Sequence, residues 1–243
     1  MATFVLVHGG GHGGWCYQSV AKILRAQGHE VYAPSLTGLA DREHLLSDAV
    51  DLNMHITDIV KLIQFEDLNN VILVGHSYGG MVITGVADRV TDRIANLVYL
   101  DAAFPENGQS LVDHAGEVIL AAREKMRVVD SIELVLFPGD DPMGFYGVTD
   151  PDQIAWMKPK LTPHPWRCFE QQLVLNNEAE MRAIPISFVF SAVQIDSLTD
   201  EIRQQIREFT QGRFWEINTG HDLMISEPEL TADALLGVSL TLS

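Results

Sequence analysis

The segment Gly75-His-Ser-Tyr-Gly79 places one hydroxyl, that of Ser77, between the apolar run Val71 to Val74 and a second apolar stretch that starts at Met81. A G-x-S-x-G pattern between a strand and a helix describes a sharp turn that exposes the serine Oγ at the C-terminal edge of a sheet. The glycines on either side allow close backbone approach where a Cβ would clash. A serine so placed is a nucleophile for acyl transfer; the plainer reading is a glycine-rich turn whose serine caps the next helix. Tyr78 would open that helix, where its unpaired N–H and the positive end of the helix dipole can meet an oxyanion. A second donor is expected in His8-Gly-Gly-Gly-His-Gly-Gly14, directly after the apolar run ending at Val7. Gly10 is the candidate there, because few side chains cover the main-chain N–H groups. A plain flexible turn or a phosphate loop are the competing readings, and no Gly-Lys-Ser/Thr follows to support the second.

A serine hydroxyl is a weak nucleophile until a base takes its proton. Among nine histidines, His221 in Thr219-Gly-His-Asp222 follows the last strand-like run, Phe214 to Ile217, and so emerges at the same sheet edge as Ser77. His76 is tied to the turn itself. His29, His44, His55 and His114 read as surface or packing residues, and His12 and His164 as pocket-lining or structural ones. Two carboxylates could orient the imidazole and stabilise its charged form. Asp101 directly follows Asn96 to Leu100, the strand next in sequence, and is the preferred one; Asp196 lies beyond Ile186 to Phe190. The plain alternative for Asp101 is a strand-end cap. No pair of histidines has H-E-x-x-H spacing, and Cys16 and Cys168 stand in no zinc pattern, so neither a catalytic metal nor a cofactor is expected.

These residues need a scaffold that brings strand ends to one edge. Short apolar runs at 4–7, 31–33, 71–74, 94–100, 186–190 and 214–217 alternate with helical repeats at Tyr17 to Gln27, Leu52 to Ile63, Met81 to Ala87 and Ile202 to Phe209. That alternation predicts a parallel sheet with helices on both faces. Ser226-Glu-Pro-Glu229 reads as a capping box opening a last helix that runs towards Leu236. Residues 104 to 184 break the rhythm, with seven prolines and no clear core strand, and read as a functional lid inserted into one domain spanning 1–243.

Lys and Arg total 16 against 33 Asp and Glu, a net charge of −17 that repels phosphate backbones and anionic lipid. Neither nucleic acid nor a membrane is an expected partner. Two cysteines are too few for a disulfide framework, and the first residues carry no basic leader, which fits a reducing cytoplasm. The sequence leaves a homodimer open.

In combination these motifs resemble the α/β-hydrolase superfamily over nearly the whole chain. Val5-Leu-Val-His-Gly-Gly-Gly-His-Gly-Gly-Trp15, near the start of the sequence, is similar to the small branch that holds plant methyl-ester esterases and hydroxynitrile lyases, with bacterial esterase relatives. The resemblance implies a mostly parallel six-stranded sheet, lacking the first two strands of larger members, under a helical cap. It carries the nucleophile to Ser77, the base to His221 and the oxyanion donors to Gly10 and Tyr78. The branch's usual acid position falls on Gln194, which strengthens Asp101 over Asp196. Hydroxynitrile lyases of the branch place a lysine after the catalytic histidine, where this chain has Asp222, so cyanohydrin cleavage is disfavoured. Among bacterial relatives there is also a similarity to esterases that remove the methyl carbamate of the fungicide carbendazim.

The expected activity is therefore hydrolysis of apolar or aromatic small-molecule esters or carbamates through an acyl-enzyme. A lyase using the same residues and a slow-turnover ligand receptor on the same fold are the alternatives. Phe145, Tyr146, Trp156, Met157, Trp166 and Phe169 supply the lid with residues for a flat or bulky apolar group, unless they only pack the lid itself. Lys158, Lys160 and Arg167 leave room for a substrate carboxylate.

Overall fold

The computed structural model describes residues 1–135 and 146–242, with the backbone alone at 118. Strands β1 (Thr3–Val7), β2 (Glu30–Tyr32), β3 (Val71–His76), β4 (Ile94–Leu100), β8 (Ile186–Ser191) and β9 (Phe214–Ile217) form one six-stranded sheet in the order β2-β1-β3-β4-β8-β9. Every pairing in it is parallel. Helices cover both faces of such a sheet, which is why its central strands read as unbroken apolar runs: Phe4 to Val7 and all of β3 are buried.

Register aligns the strand ends. Val7 pairs with Gly75, His76 with Leu100, Leu100 with Val189, and Ser191 with Ile217. The loops after β1, β3, β4 and β9 consequently leave the sheet at the same edge, with β8 between the last two. The strand order also reverses between β1 and β3, and ligands of open α/β sheets bind in the crevice at such a point.

Helix α1 (Gln18–Ala26) buries Val20, Ala21 and Leu24 on one face. Helix α2 (Leu52–Phe65) starts at Asp51, whose carboxylate accepts from Met54 N at 2.8 Å, and buries Ile56, Ile59 and Ile63. Helix α3 (Gly79–Arg89) is buried from Gly79 to Asp88, as expected for a helix enclosed on all sides. At Gly80 a Cβ would lie 1.9 Å from Ala103 O, so only glycine lets the chain after β4 cross α3 this closely.

The insertion between β4 and β8 is more than helical. Helix α4 (Leu111–Arg123) begins at a capping box in which Ser110 Oγ accepts from Asp113 N and Asp113 accepts from Ser110 N. After it, β5 (Arg127–Val129), β6 (Ile132–Val135) and β7 (His164–Pro165) form a small antiparallel sheet that the sequence reading missed. The signal was weak because β5 is exposed throughout and β7 has two residues, one of them proline. Short helices at Pro151–Met157, Arg167–Glu170 and Glu178–Arg182 complete the lid. Phe145, Pro138 and Pro142 lie outside the described residues.

The last helix, Pro228–Leu240, has Pro at its start as expected, but no capping box forms at 226–229. Ser226 Oγ instead donates to Asp222 O at 3.0 Å and pairs with Thr219 Oγ1 at 2.6 Å, closing the loop around His221. Among the described residues no helix is long and apolar enough to cross a membrane.

Candidate active site

β3 ends at His76, α3 begins at Gly79, and the two residues between them make the turn. Ser77 has φ +53°, in the left-handed region that costs an L-residue of order 1–3 kcal/mol. The cost is held by backbone bonds on both sides of the residue: Ser77 N donates to Leu100 O at 3.4 Å, and Ser77 O accepts from Gly80 N and Ala103 N, both at 3.0 Å. Asp101, at the end of the neighbouring strand, is left-handed as well, at φ +46°. Two strained, polar residues therefore stand at adjacent strand ends.

His221 is half-buried, and its Nδ1 donates to Asp101 Oδ2 at 2.7 Å. Asp101 is itself fixed, because Oδ1 accepts from Ser191 N at 2.8 Å and Oδ2 from Ser191 Oγ at 2.9 Å. With Nδ1–H spent on the carboxylate, the neutral imidazole presents the lone pair of Nε2, as a general base must. Burial pushes the His221 pKa down, but the bond to Asp101, its charge and that of Asp222 outweigh this, and the net direction is up from 6.5. Of the two carboxylates weighed in the sequence, Asp101 is the one brought to His221. Asp196 ends the short helix Ala192–Asp196 with its side chain exposed.

The loop of His221 is pinned to the turn of Ser77. His76 Nε2 donates to His221 O at 2.9 Å, and the two rings lie 4.6 Å apart. On the other side, Gly9 is flush against the turn: a Cβ there would sit 2.8 Å from both Ser77 Cβ and His76 Nδ1. Gly10, Ser77 and Tyr78 line one cavity of about 20 Å³, together with His12 and His76. Its apolar wall comes from Leu111 and Ile119 of α4 and from Tyr146 and Phe169 of the lid. A wider surface cleft of about 570 Å³ beside Trp15 and Ser35 is lined by Lys160, one of the residues weighed for a substrate carboxylate, but by none of the candidate catalytic or oxyanion residues.

The other lid aromatics face elsewhere. Trp166 is buried under the Arg123 guanidinium and donates to Glu170, and Trp156 lies against Trp15 with the Lys160 ammonium over its ring. Arg167 donates to Asp48 O. None of these side chains is among those that line the cavity at Ser77.

Several histidines act as buried, neutral clips for the loops. Burial pushes His8 down to about 3; its Nδ1–H bonds Gly9 O, and its Nε2 accepts from Leu36 N. His55, also lowered by burial, accepts from Tyr78 Oη and donates to Thr37 O. His164 Nδ1 accepts from Gly11 N at 3.2 Å, and burial holds this ring well below the ordinary range. His29 accepts from Ala2 N and His114 from Phe104 N, while His44 is exposed.

Among the described residues, His55, His164 and Cys168 offer ligand atoms within 4.8 Å of one another. They fit a metal poorly. Both nitrogens of His55 already have partners, and burial raises the Cys168 thiol, away from the thiolate a metal needs.

Sequence reasoning missed Ser191, whose N–H and hydroxyl both hold Asp101, and the bond between His12 Nε2 and Asp222 Oδ2 at 2.9 Å. The first follows from β4 and β8 being neighbours. The second joins residues 210 positions apart, and no local pattern announces it.

The alpha/beta hydrolase family profile matches residues 4–234. A carbendazim hydrolyzing esterase of Nocardioides sp. (strain SG-4G) is 58% identical over 112 residues, 46% of this chain and 46% of that protein, so the match spans under half of the relative's length. The pFDCC methylesterase MES16 of Arabidopsis thaliana is 27% identical over 220 residues, covering 84% of this chain and 80% of that one. Its crystal structure superposes with a TM-score of 0.74 at 25% identity, over 99% of this chain and 100% of its own. An extracellular alpha/beta-hydrolase from a Paenibacillus species, described as sharing structural and functional homology with tobacco salicylic acid binding protein 2, reaches a TM-score of 0.80 at 25% identity over 98% of each chain. With the whole sheet, the turn at Ser77 and the profile match in agreement, the chain belongs to the alpha/beta hydrolase family.

Proposed function

We propose that the protein is a serine esterase that hydrolyses carboxylic esters or carbamates of apolar or aromatic small molecules, with Ser77 as nucleophile, His221 as base and Asp101 as the acid that orients it. The reading needs no cofactor and places the reaction in the cytoplasm. The observation that carries it is the 2.7 Å bond from His221 Nδ1 to Asp101, on the sheet edge where the turn presents Ser77.

In the proposed cycle, Ser77 Oγ attacks the carbonyl carbon as its proton passes to His221 Nε2. The N–H groups of Gly10 and Tyr78 bind the resulting oxyanion, which is worth on the order of 10²–10³ in rate per donor. Collapse of the tetrahedral species expels the alcohol, which takes the proton from His221, and water repeats the sequence on the acyl-enzyme. A methyl carbamate would pass through a carbamoyl-enzyme, whose nitrogen lone pair makes the carbonyl less electrophilic and the second half slower. The similarity to a carbendazim hydrolyzing esterase supports trying that substrate class first.

Steady turnover of p-nitrophenyl butyrate and of carbendazim by the purified protein, abolished in Ser77→Ala, is the expected result. Single labelling by a fluorophosphonate without turnover would favour a ligand receptor instead, and cyanide release from mandelonitrile would revive a lyase.

A further inference from the structure

His12 and Asp222 are both fully buried, yet neither belongs to the three residues of the proposed cycle. His12 lies two residues after Gly10, and its Nδ1 bonds Gly10 O at 2.9 Å. Its Nε2 bonds Asp222 Oδ2 at 2.9 Å, and Asp222 is the residue after His221. Both contacts of the ring are to acceptors. Asp222 N in turn donates to Tyr146 O at 2.9 Å, and Tyr146 Oη reaches Gly10 O at 3.3 Å. Among the described residues the other titratable side chains facing Asp222 are His76, whose Nε2 is 3.8 Å from Oδ1, the neighbouring His221, and the Cys16 thiol and the Tyr17 and Tyr146 hydroxyls. The ring of His12 also stacks on Trp15 at 5.3 Å, which leaves it little freedom to turn.

We infer that His12, held by Asp222, is a positioning residue of the oxyanion hole: it fixes the Gly10–Gly11 peptide on the carbonyl side of the Gly10 donor and couples it to the loop that carries the base. Gly10 has no side chain to set its own orientation, and its loop is glycine at 9, 10 and 11. The Gly9–Gly10 peptide, which carries the Gly10 N–H, has its oxygen held by His8 Nδ1 at 2.9 Å; the Gly10–Gly11 peptide on the other side of the same residue rotates easily unless something grips its oxygen. The side chain two residues on does so, and Asp222 prevents that side chain from turning away. The same link explains the acid after His221, because a lysine there would face the His12 ring with no acceptor.

This inference rests on the proposed function, and the two are separable by experiment. Steady turnover of p-nitrophenyl butyrate by the wild-type protein, lost in Ser77→Ala, tests the function alone. The positioning role is tested by His12→Gln, whose amide can still reach Asp222 but not Gly10 O, beside His12→Asn, whose amide can reach Gly10 O but not Asp222. The expected result for His12→Gln is a fall of about 30-fold in kcat, with KM within about threefold. Affinity for a trifluoromethyl ketone that forms a hemiketal with Ser77 should fall by the same factor. The factor is set below the full loss of an oxyanion donor because the donor is displaced rather than removed. His12→Asn should recover most of that loss while melting earlier, since it leaves a buried carboxylate unpaired. Unchanged kcat in His12→Gln, equal losses in the two variants, or lost turnover with undiminished ketone affinity would each overturn the inference. Where a variant fails to fold, the wild-type protein decides: the ring nitrogen resonances of His12 should shift when the ketone binds, and their staying fixed would equally overturn it.

Discussion

At Asp101 one side chain meets three donors, from His221 Nδ1, Ser191 N and Ser191 Oγ. A carboxylate gripped in this way orients the imidazole and favours its charged form, so on the proposed assignment Asp101→Asn lowers kcat by on the order of 10⁴ with folding intact. Circular dichroism and steady-state kinetics on the same preparation check it. Asp196→Asn, at an exposed helix end, is expected to leave kcat unchanged. The pH profile supplies a second prediction. His221 accepts the serine proton only when neutral, so activity falls as pH drops through its pKa. Since that pKa is raised from 6.5, the acid limb of kcat/KM should lie above 6.5. Asp101→Asn removes the charge and bond that raise it and leaves the downward push of burial, so in that variant the limb moves to lower pH. An acid limb that does not move would mean that Asp101 does not govern His221.

Elements, rather than residues, set the fit between the turn and its surroundings. Helix α3 starts so close to the chain after β4 that a methyl group at residue 80 would overlap Ala103 O, 1.9 Å away. Gly80→Ala should therefore cost about 3 kcal/mol or more, beyond the usual overpacking range of 1–3 kcal/mol because backbone, not a side chain, is in the way. In a domain of this size that lowers the melting temperature by several degrees, by calorimetry. Gly9→Ala meets Ser77 Cβ at 2.8 Å and should reduce turnover more than stability, because its collision is with the reacting residue rather than with the core. The six strands and the helices α1 to α3 were legible in the sequence, since buried parallel strands have unbroken apolar runs, α1 and α2 have one apolar face, and α3 continues directly from the turn as a second apolar stretch. The antiparallel sheet of the lid was not, because an exposed three-residue strand and a His-Pro pair carry no periodicity of their own.

For the molecule as a whole, the cavity at Ser77 is about 20 Å³, enough for roughly one water and far below the volume of an ester substrate. On the proposed function, the acyl group of the substrate would lie against the wall of Leu111, Ile119, Tyr146 and Phe169. Truncating that wall in Leu111→Ala should raise kcat/KM for p-nitrophenyl octanoate relative to the acetate several-fold, and an unchanged ratio would place the acyl chain elsewhere. By itself the sequence determined the chemistry on offer: a serine in a strand-to-helix turn, a glycine loop after the first strand, a histidine after the last one, and an acid whose identity stayed between Asp101 and Asp196. Those features are local, carried by residue type and spacing within a few positions. Only the tertiary structure decided which carboxylate faces His221 and that His12 and Asp222 meet across 210 positions. It likewise decided which lid aromatics border Ser77. Strand order, register and the return path of the chain create these contacts, and none of the three is written in any short stretch of residues.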